Sequence, residues 1–166
     1  VRRCLYDSRY ETEDLGALDW PDHERVRDLA YARLLPVRQA IGQFLSGYEM
    51  ADLSRNLEKV TVHYGAGMSG EATRLLNWAK CCLIDCEKRT AQDDLETEFT
   101  LADSTVEDCP LALEFSYSDD HYFRWKKFKD GSLGEIEAYL GKQKEHITTR
   151  VKPLPTEQSI AEALFF

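Results

Sequence analysis

The sequence predicts an α+β protein, because the spacing of its apolar residues changes part-way along the chain. Between about residues 22 and 90 they recur every three or four positions, the period of an amphipathic helix. Beyond about residue 95 they alternate, the period of a half-buried strand. The expected architecture is a set of N-terminal helices (about 22-90) packed against a small, mostly antiparallel β-sheet (about 95-153), with a covering helix at 133-147. At 166 residues, 43% of them apolar, the chain fits a single α+β domain with a sizeable core, preceded by an irregular arm over residues 1-21.

The arm mixes Tyr6, Tyr10 and Trp20 with acids and basic residues and shows no sustained period, so it is expected to dock through its aromatic rings. Asp22 is placed to cap a first helix carrying Val26, Leu29, Ala30 and Leu34, which must stop or kink at Pro36. A second helix follows, with Val37, Ile41, Phe44, Leu45 and Tyr48 on one face. Met50, Leu53, Leu57, Val60 and Tyr64 step by three and four, so residues 50 to 64 read as helix. The strand-like alternation of Val60, Val62 and Tyr64 covers only five residues and is outweighed.

Ser69 caps the clearest predicted helix, whose buried stripe is Ala72, Leu75, Leu76, Ala79, Cys82, Leu83 and Cys86. Leu95 to Leu101 and Leu111 to Tyr117 read as half-buried strands, and His121 to Phe128 completes a hairpin with the second of them. In that last strand Phe123 and Trp125 share one face while Tyr122, Arg124 and Lys126 share the other. Ser132 with Glu135 has the capping-box spacing, which starts the predicted covering helix through Leu133, Ile136, Leu140 and Ile147. Arg150 to Leu154 reads as a short edge strand, and Thr156 caps a last helix carrying Ile160, Leu164 and Phe165.

Composition narrows the function. No run reaches the roughly 18 apolar residues of a membrane-spanning helix, and no basic-then-apolar leader opens the chain, so no membrane partner is expected. Val1 in place of a methionine is consistent with a processed or fragmentary chain. Five cysteines, an odd number without framework spacing, fit a reducing, cytoplasmic or otherwise intracellular setting. A net charge of −9 disfavours indiscriminate nucleic-acid binding and favours a basic partner.

Three stretches carry candidate chemistry. Acids crowd residues 93 to 108 with no Lys or Arg among them: Asp93, Asp94, Glu96, Glu98, Asp103, Glu107 and Asp108. They suit a surface that meets a basic protein, because complementary charge speeds encounter and selects the partner. The hairpin strand interleaves Tyr122, Trp125 and Phe128 with Arg124, Lys126, Lys127 and Lys129, a composition that serves single-stranded nucleic acid when the rings stack on bases and the cations meet phosphates. Residues 60 to 70, VTVHYGAGMSG, contain the G-x-G-x-x-G spacing of a dinucleotide turn. There Gly65, Gly67, Ser69 and Gly70 could hold a phosphate, provided a strand precedes them. The helical period on both sides makes a corner between two helices the expected reading, with Gly65 ending one and Ser69 capping the next.

No paired Cys spacing supports a metal site, and no nucleophile, base and orienter can be named together. The expectation is therefore a non-enzymatic protein-binding module of the adaptor or inhibitor type, working without a cofactor and meeting a basic partner through its acidic surface. Nucleic-acid binding by residues 121-129 and phosphate binding at residues 65-70 are the alternatives.

Overall fold

The computed structural model describes residues 3–10, 18–20, 22–90, 97–103, 109–128 and 133–165. The fold is mixed α+β, as the change of period predicts. Six strands form one sheet in the order β4, β3, β5, β6, β7, β8. These are β3 (Leu57–Tyr64), β4 (Glu98–Asp103), β5 (Leu111–Tyr117), β6 (Tyr122–Lys127), β7 (Leu133–Tyr139) and β8 (Glu145–Arg150). Neighbours from β3 and β5 onward to β8 run antiparallel, while β3 and β4 are parallel and joined through α4 (Ser69–Thr90), as a parallel pair requires a crossover. Apart from the sheet, β1 (Cys4–Tyr6) pairs in parallel with β2 (Val26–Asp28), so the expected irregular arm carries a strand.

Two predicted helices are corrected to strands. Residues 50 to 64 divide at Asn56, whose φ of 61° ends the short helix α3 (Met50–Ser54) before β3 begins. The five-residue alternation was the deciding pattern: β3 lies between two partner strands, and β-branched Val60 and Val62 are fully buried on one face. Residues 133 to 147 form β7, a turn and the start of β8 in place of the covering helix. Gly134, Ile136 and Ala138 alternate into the core; two of the three are too small to register as an apolar stripe. The strand predicted at Arg150 to Leu154 is instead the end of β8, followed by a connection in which the Leu154 N–H donates to the Arg33 carbonyl at 3.0 Å.

The first predicted helix is also shorter than its pattern. Residues 23 to 25 make a 3-10 turn, β2 follows, and α1 occupies only Leu29–Arg33, capped by Asp28 rather than Asp22. Pro36 stands in the first turn of α2 (Leu35–Leu45), where its missing N–H has no helical partner to lose. The 111-to-128 hairpin, the helix from Ser69 and the last helix, α5 (Thr156–Phe165), lie where expected.

The core lies between the inner face of the sheet and the helices. Val60, Val62, Leu113, Phe115, Phe123, Trp125 and Ile136 meet Leu34, Val37 and Ile41 from the α1–α2 region and Ala72, Leu75, Ala79 and Leu83 from α4. Phe115 and Phe123 pack as a tilted pair across β5 and β6 with ring centroids 5.1 Å apart, and Phe44 of α2 reaches Phe123 at 5.9 Å. Cys82 and Cys86 do not belong to that stripe. Cys82 is exposed and both thiols border a pocket of about 300 Å³ between α2, α3 and α4, which those helices leave unfilled. Among the described residues no helix is long and apolar enough to cross a membrane.

Candidate functional site

Alternation that buries one face of the sheet turns a second set of side chains outward. Cross-strand pairing aligns them in rows. One row runs Thr61, Glu114, Arg124, Glu137, His146 from β3 to β8, and the next runs His63, Ala112, Lys126, Glu135, Thr148. Within the first row the Arg124 Nε donates to Glu114 at 2.7 Å, and the other Glu114 oxygen lies 3.5 Å from His63 Nε2. The bond to Glu114 raises the Arg124 pKa, so that guanidinium stays charged. His63, Glu114, Arg124, Lys126 and Cys109 border a pocket of about 340 Å³. Cys109 is a poor nucleophile there, because burial pushes its thiol pKa up.

The acidic stretch frames an edge strand. Glu98 and Asp103 open and close β4, both exposed, and Asp93, Asp94, Glu96, Glu107 and Asp108 lie outside the described residues. Glu98 meets Lys59 of β3 at 3.1 Å. Leu101 is exposed, and Phe99 is half-buried beneath the Lys80 ammonium, 5.3 Å from its ring centroid. Among the described residues no strand pairs with the outer side of β4.

The basic and aromatic residues of β6 are divided between faces. Tyr122, Arg124 and Lys126 point outward, and the Arg124 guanidinium lies 4.9 Å from the Tyr122 ring centre. Trp125 is fully buried on the inner face. Lys127 is half-buried, and burial, then the nearby Arg9 charge, lowers its pKa. Lys129 lies outside the described residues. The structure therefore brings together only part of that set.

At the glycine turn the structure supplies the strand that the phosphate reading demands, since β3 ends at Tyr64 and α4 begins at Ser69. The expected corner between two helices is thus a strand-to-helix turn. Residues 81 to 87, however, continue α4 instead of forming a second strand. The Gly65 N–H donates to the Pro110 carbonyl at 3.0 Å, and Gly67 uses its freedom at a φ of 75°. Gly70 has a different cause: the Ser8 and Arg9 backbone crosses it so closely that a Cβ would fall 2.6 Å from the Ser8 carbonyl carbon. The first turn of α4 also carries its own anion, the buried Glu71 carboxylate, which favours a helix N-terminus.

Glu71 centres a second charged assembly. Arg33 donates to it at 2.6 Å and to Asp7 at 2.5 Å, and Arg9 joins the same Glu71 oxygen. Burial works against the Arg33 charge, but Asp7 and Glu71 outweigh it, and the pKa lies above its ordinary value. Beside it Arg74 pairs with Asp28 and donates to the Tyr6 hydroxyl at 2.8 Å. These bonds hold the arm on α1 and α4.

Sequence patterns do not point to Glu137, give His146 no partner, place Glu135 as a helix cap instead of a site residue, and do not join His63 and Glu114 to any site. Each lies in a strand whose neighbours are fixed only by register, and β3, β7 and the start of β8 carry a helical spacing in sequence. No family model matches the chain, and comparison with curated proteins and with solved structures gives no match.

Proposed function

We propose that this chain is a protein-binding module whose partner adds an extended, basic segment to the free edge of β4. The carrying observation is the position of β4. It is an edge strand of six residues with no Lys or Pro in it, opened by Glu98 and closed by Asp103, and the chain on either side supplies Asp93, Asp94, Glu96, Glu107 and Asp108. Open edges present unpaired N–H and C=O groups, and natural proteins commonly blunt them with Lys, Pro or bulges. A peptide added there gains main-chain hydrogen bonds from the edge, while alternate side chains set specificity. Leu101 and Phe99 offer apolar contact between the acidic ends.

A short peptide alternating Lys and Val tests this by fluorescence anisotropy together with amide hydrogen exchange. Binding should weaken with salt and with Glu98→Lys plus Asp103→Lys, and the bound peptide should protect β4 amides. Binding that leaves β4 exchange unchanged, or no binding at low salt, overturns the proposal.

A further inference from the structure

We propose that Glu135, Glu137 and His146 form a binding site for a divalent transition-metal cation of the Zn²⁺ type on the outer face of the sheet. The site lies at the β7 and β8 edge, opposite β4, and does not depend on the function proposed above. Strand alternation points Glu135 and Glu137 the same way, and the pairing of β7 with β8 sets His146 directly across from Glu137. One ligand atom from each residue lies within 4.8 Å of the other two. Zinc holds nitrogen and oxygen donors at roughly 2.0–2.2 Å, so small side-chain rotations bring all three onto one ion.

The hydrogen bonding of the face supplies a second, independent reason. Two carboxylates converging on one spot repel unless positive charge stands between them. The register places Arg124 across from Glu137 and Lys126 across from Glu135. Arg124, however, directs its Nε to Glu114 at 2.7 Å. His146 Nε2 meets Glu135, and Glu137 accepts no hydrogen bond from a described residue. Glu137 still acts on the Arg124 charge through space, but its carboxylate has no bonded donor among the described residues and stands beside an imidazole and a second carboxylate, a donor arrangement that a cation completes.

The donor set chooses the class of ion. One imidazole with two carboxylates suits Zn²⁺, Mn²⁺ or Fe²⁺; Mg²⁺ and Ca²⁺ favour oxygen throughout, and thiophilic ions need sulfur, which neither β7 nor β8 contains. Three protein ligands leave a coordination position for water or for a group on a bound partner.

The test is calorimetric titration of the full chain with Zn²⁺ in a non-coordinating buffer, repeated on His146→Ala and Glu137→Gln. His146 is exposed and Gln matches Glu in shape, so each variant should melt like the parent without metal. The proposal expects one equivalent bound, with affinity weakened by about tenfold or more in each variant, and amide shifts on Zn²⁺ addition confined to β7, β8 and the facing part of β6. It is overturned if no saturable binding occurs up to about 1 mM, a Kd that corresponds to only −4.1 kcal/mol. It is equally overturned if both variants bind as tightly as the parent, which would place the metal away from β7 and β8.

Discussion

Two charged assemblies in this protein use the same chemistry under opposite conditions. The Glu71 cluster beneath the arm is almost dry, with the Arg33 and Glu71 side chains 6% and 1% exposed, whereas Arg124 on the outer sheet face is 43% exposed. In that cluster Arg33 and Glu71 were desolvated on folding, so removing either leaves the other buried with its charge less compensated. On the outer face water screens the pair, and its net contribution to stability is small. The first assembly is part of the architecture that fixes the arm. The second leaves its groups accessible to a ligand at little cost to the fold.

The comparison makes a direct prediction. Arg33→Met should cost about 3–5 kcal/mol of stability, and Arg124→Met about 0–1 kcal/mol, both read from urea unfolding. Equal losses at the two positions would dissolve the contrast. Combining Arg33→Met with Glu71→Leu should recover only part of the loss: the most deeply buried carboxylate is removed together with its cation, but Asp7 and Arg9, which are less buried, then lack the Arg33 and Glu71 partners.

Gly70 sharpens the same point sterically. A methyl group there meets backbone, not a flexible side chain, so Gly70→Ala should undock the arm at a cost of about 1–3 kcal/mol. Limited proteolysis would report it as faster cleavage between residues 3 and 10. Gly67→Ala has open space around it and should cost only about 1 kcal/mol through its positive φ; if both variants leave the arm equally resistant, Gly70 does not seat it.

The smallest effect concerns Asp119 at the exposed β5-to-β6 turn. It accepts from the His121 N–H at 3.0 Å, from the His121 ring at 2.8 Å and from Asn56 at 3.3 Å, and these bonds lower its pKa. A carboxylate depressed in the folded state stabilises it above the unfolded pKa, and that contribution is lost as pH falls through the folded value. The melting temperatures of the parent and Asp119→Asn should therefore differ slightly at neutral pH and converge in acid below the ordinary carboxylate range. A gap that persists there would show that the bonds do not require the charge.

Much of the fold was legible where pattern and volume agreed. Phe123 and Trp125 alternate with Arg124 and Lys126, and both rings are large enough to declare the inner face of β6. Pattern failed where volume was withheld. Gly134 faces the core because the Trp125 indole nitrogen stands 3.0 Å from where its Cβ would be, so the bulk belonging to β7 is supplied by β6. In β3, Leu57, Val60 and Tyr64 satisfy both a helical and, allowing for the register shift near Glu58, an extended spacing; only the partner strands decide between them. The site residues were less legible still. His63, Glu114, Arg124, Glu137 and His146 come from five different strands, and their rows exist only after register is set. The acids at 93 to 108 are visible as composition, but that two of them, Glu98 and Asp103, bound a strand at the edge of the sheet is not.

The single parallel pairing of the sheet has a consequence in time. Strands β5 to β8 are joined in sequence, each to its neighbour, whereas β4 reaches β3 only after the 22 residues of α4 have been laid down between them. Closing that longer loop costs more chain entropy before any contact rewards it, so the meander should nucleate and β4 should dock late. Pulse-labelled exchange during refolding would then find Leu113, Trp125 and Ile136 protected ahead of Phe99 and Leu101. The strand that carries the free edge would be the last to arrive.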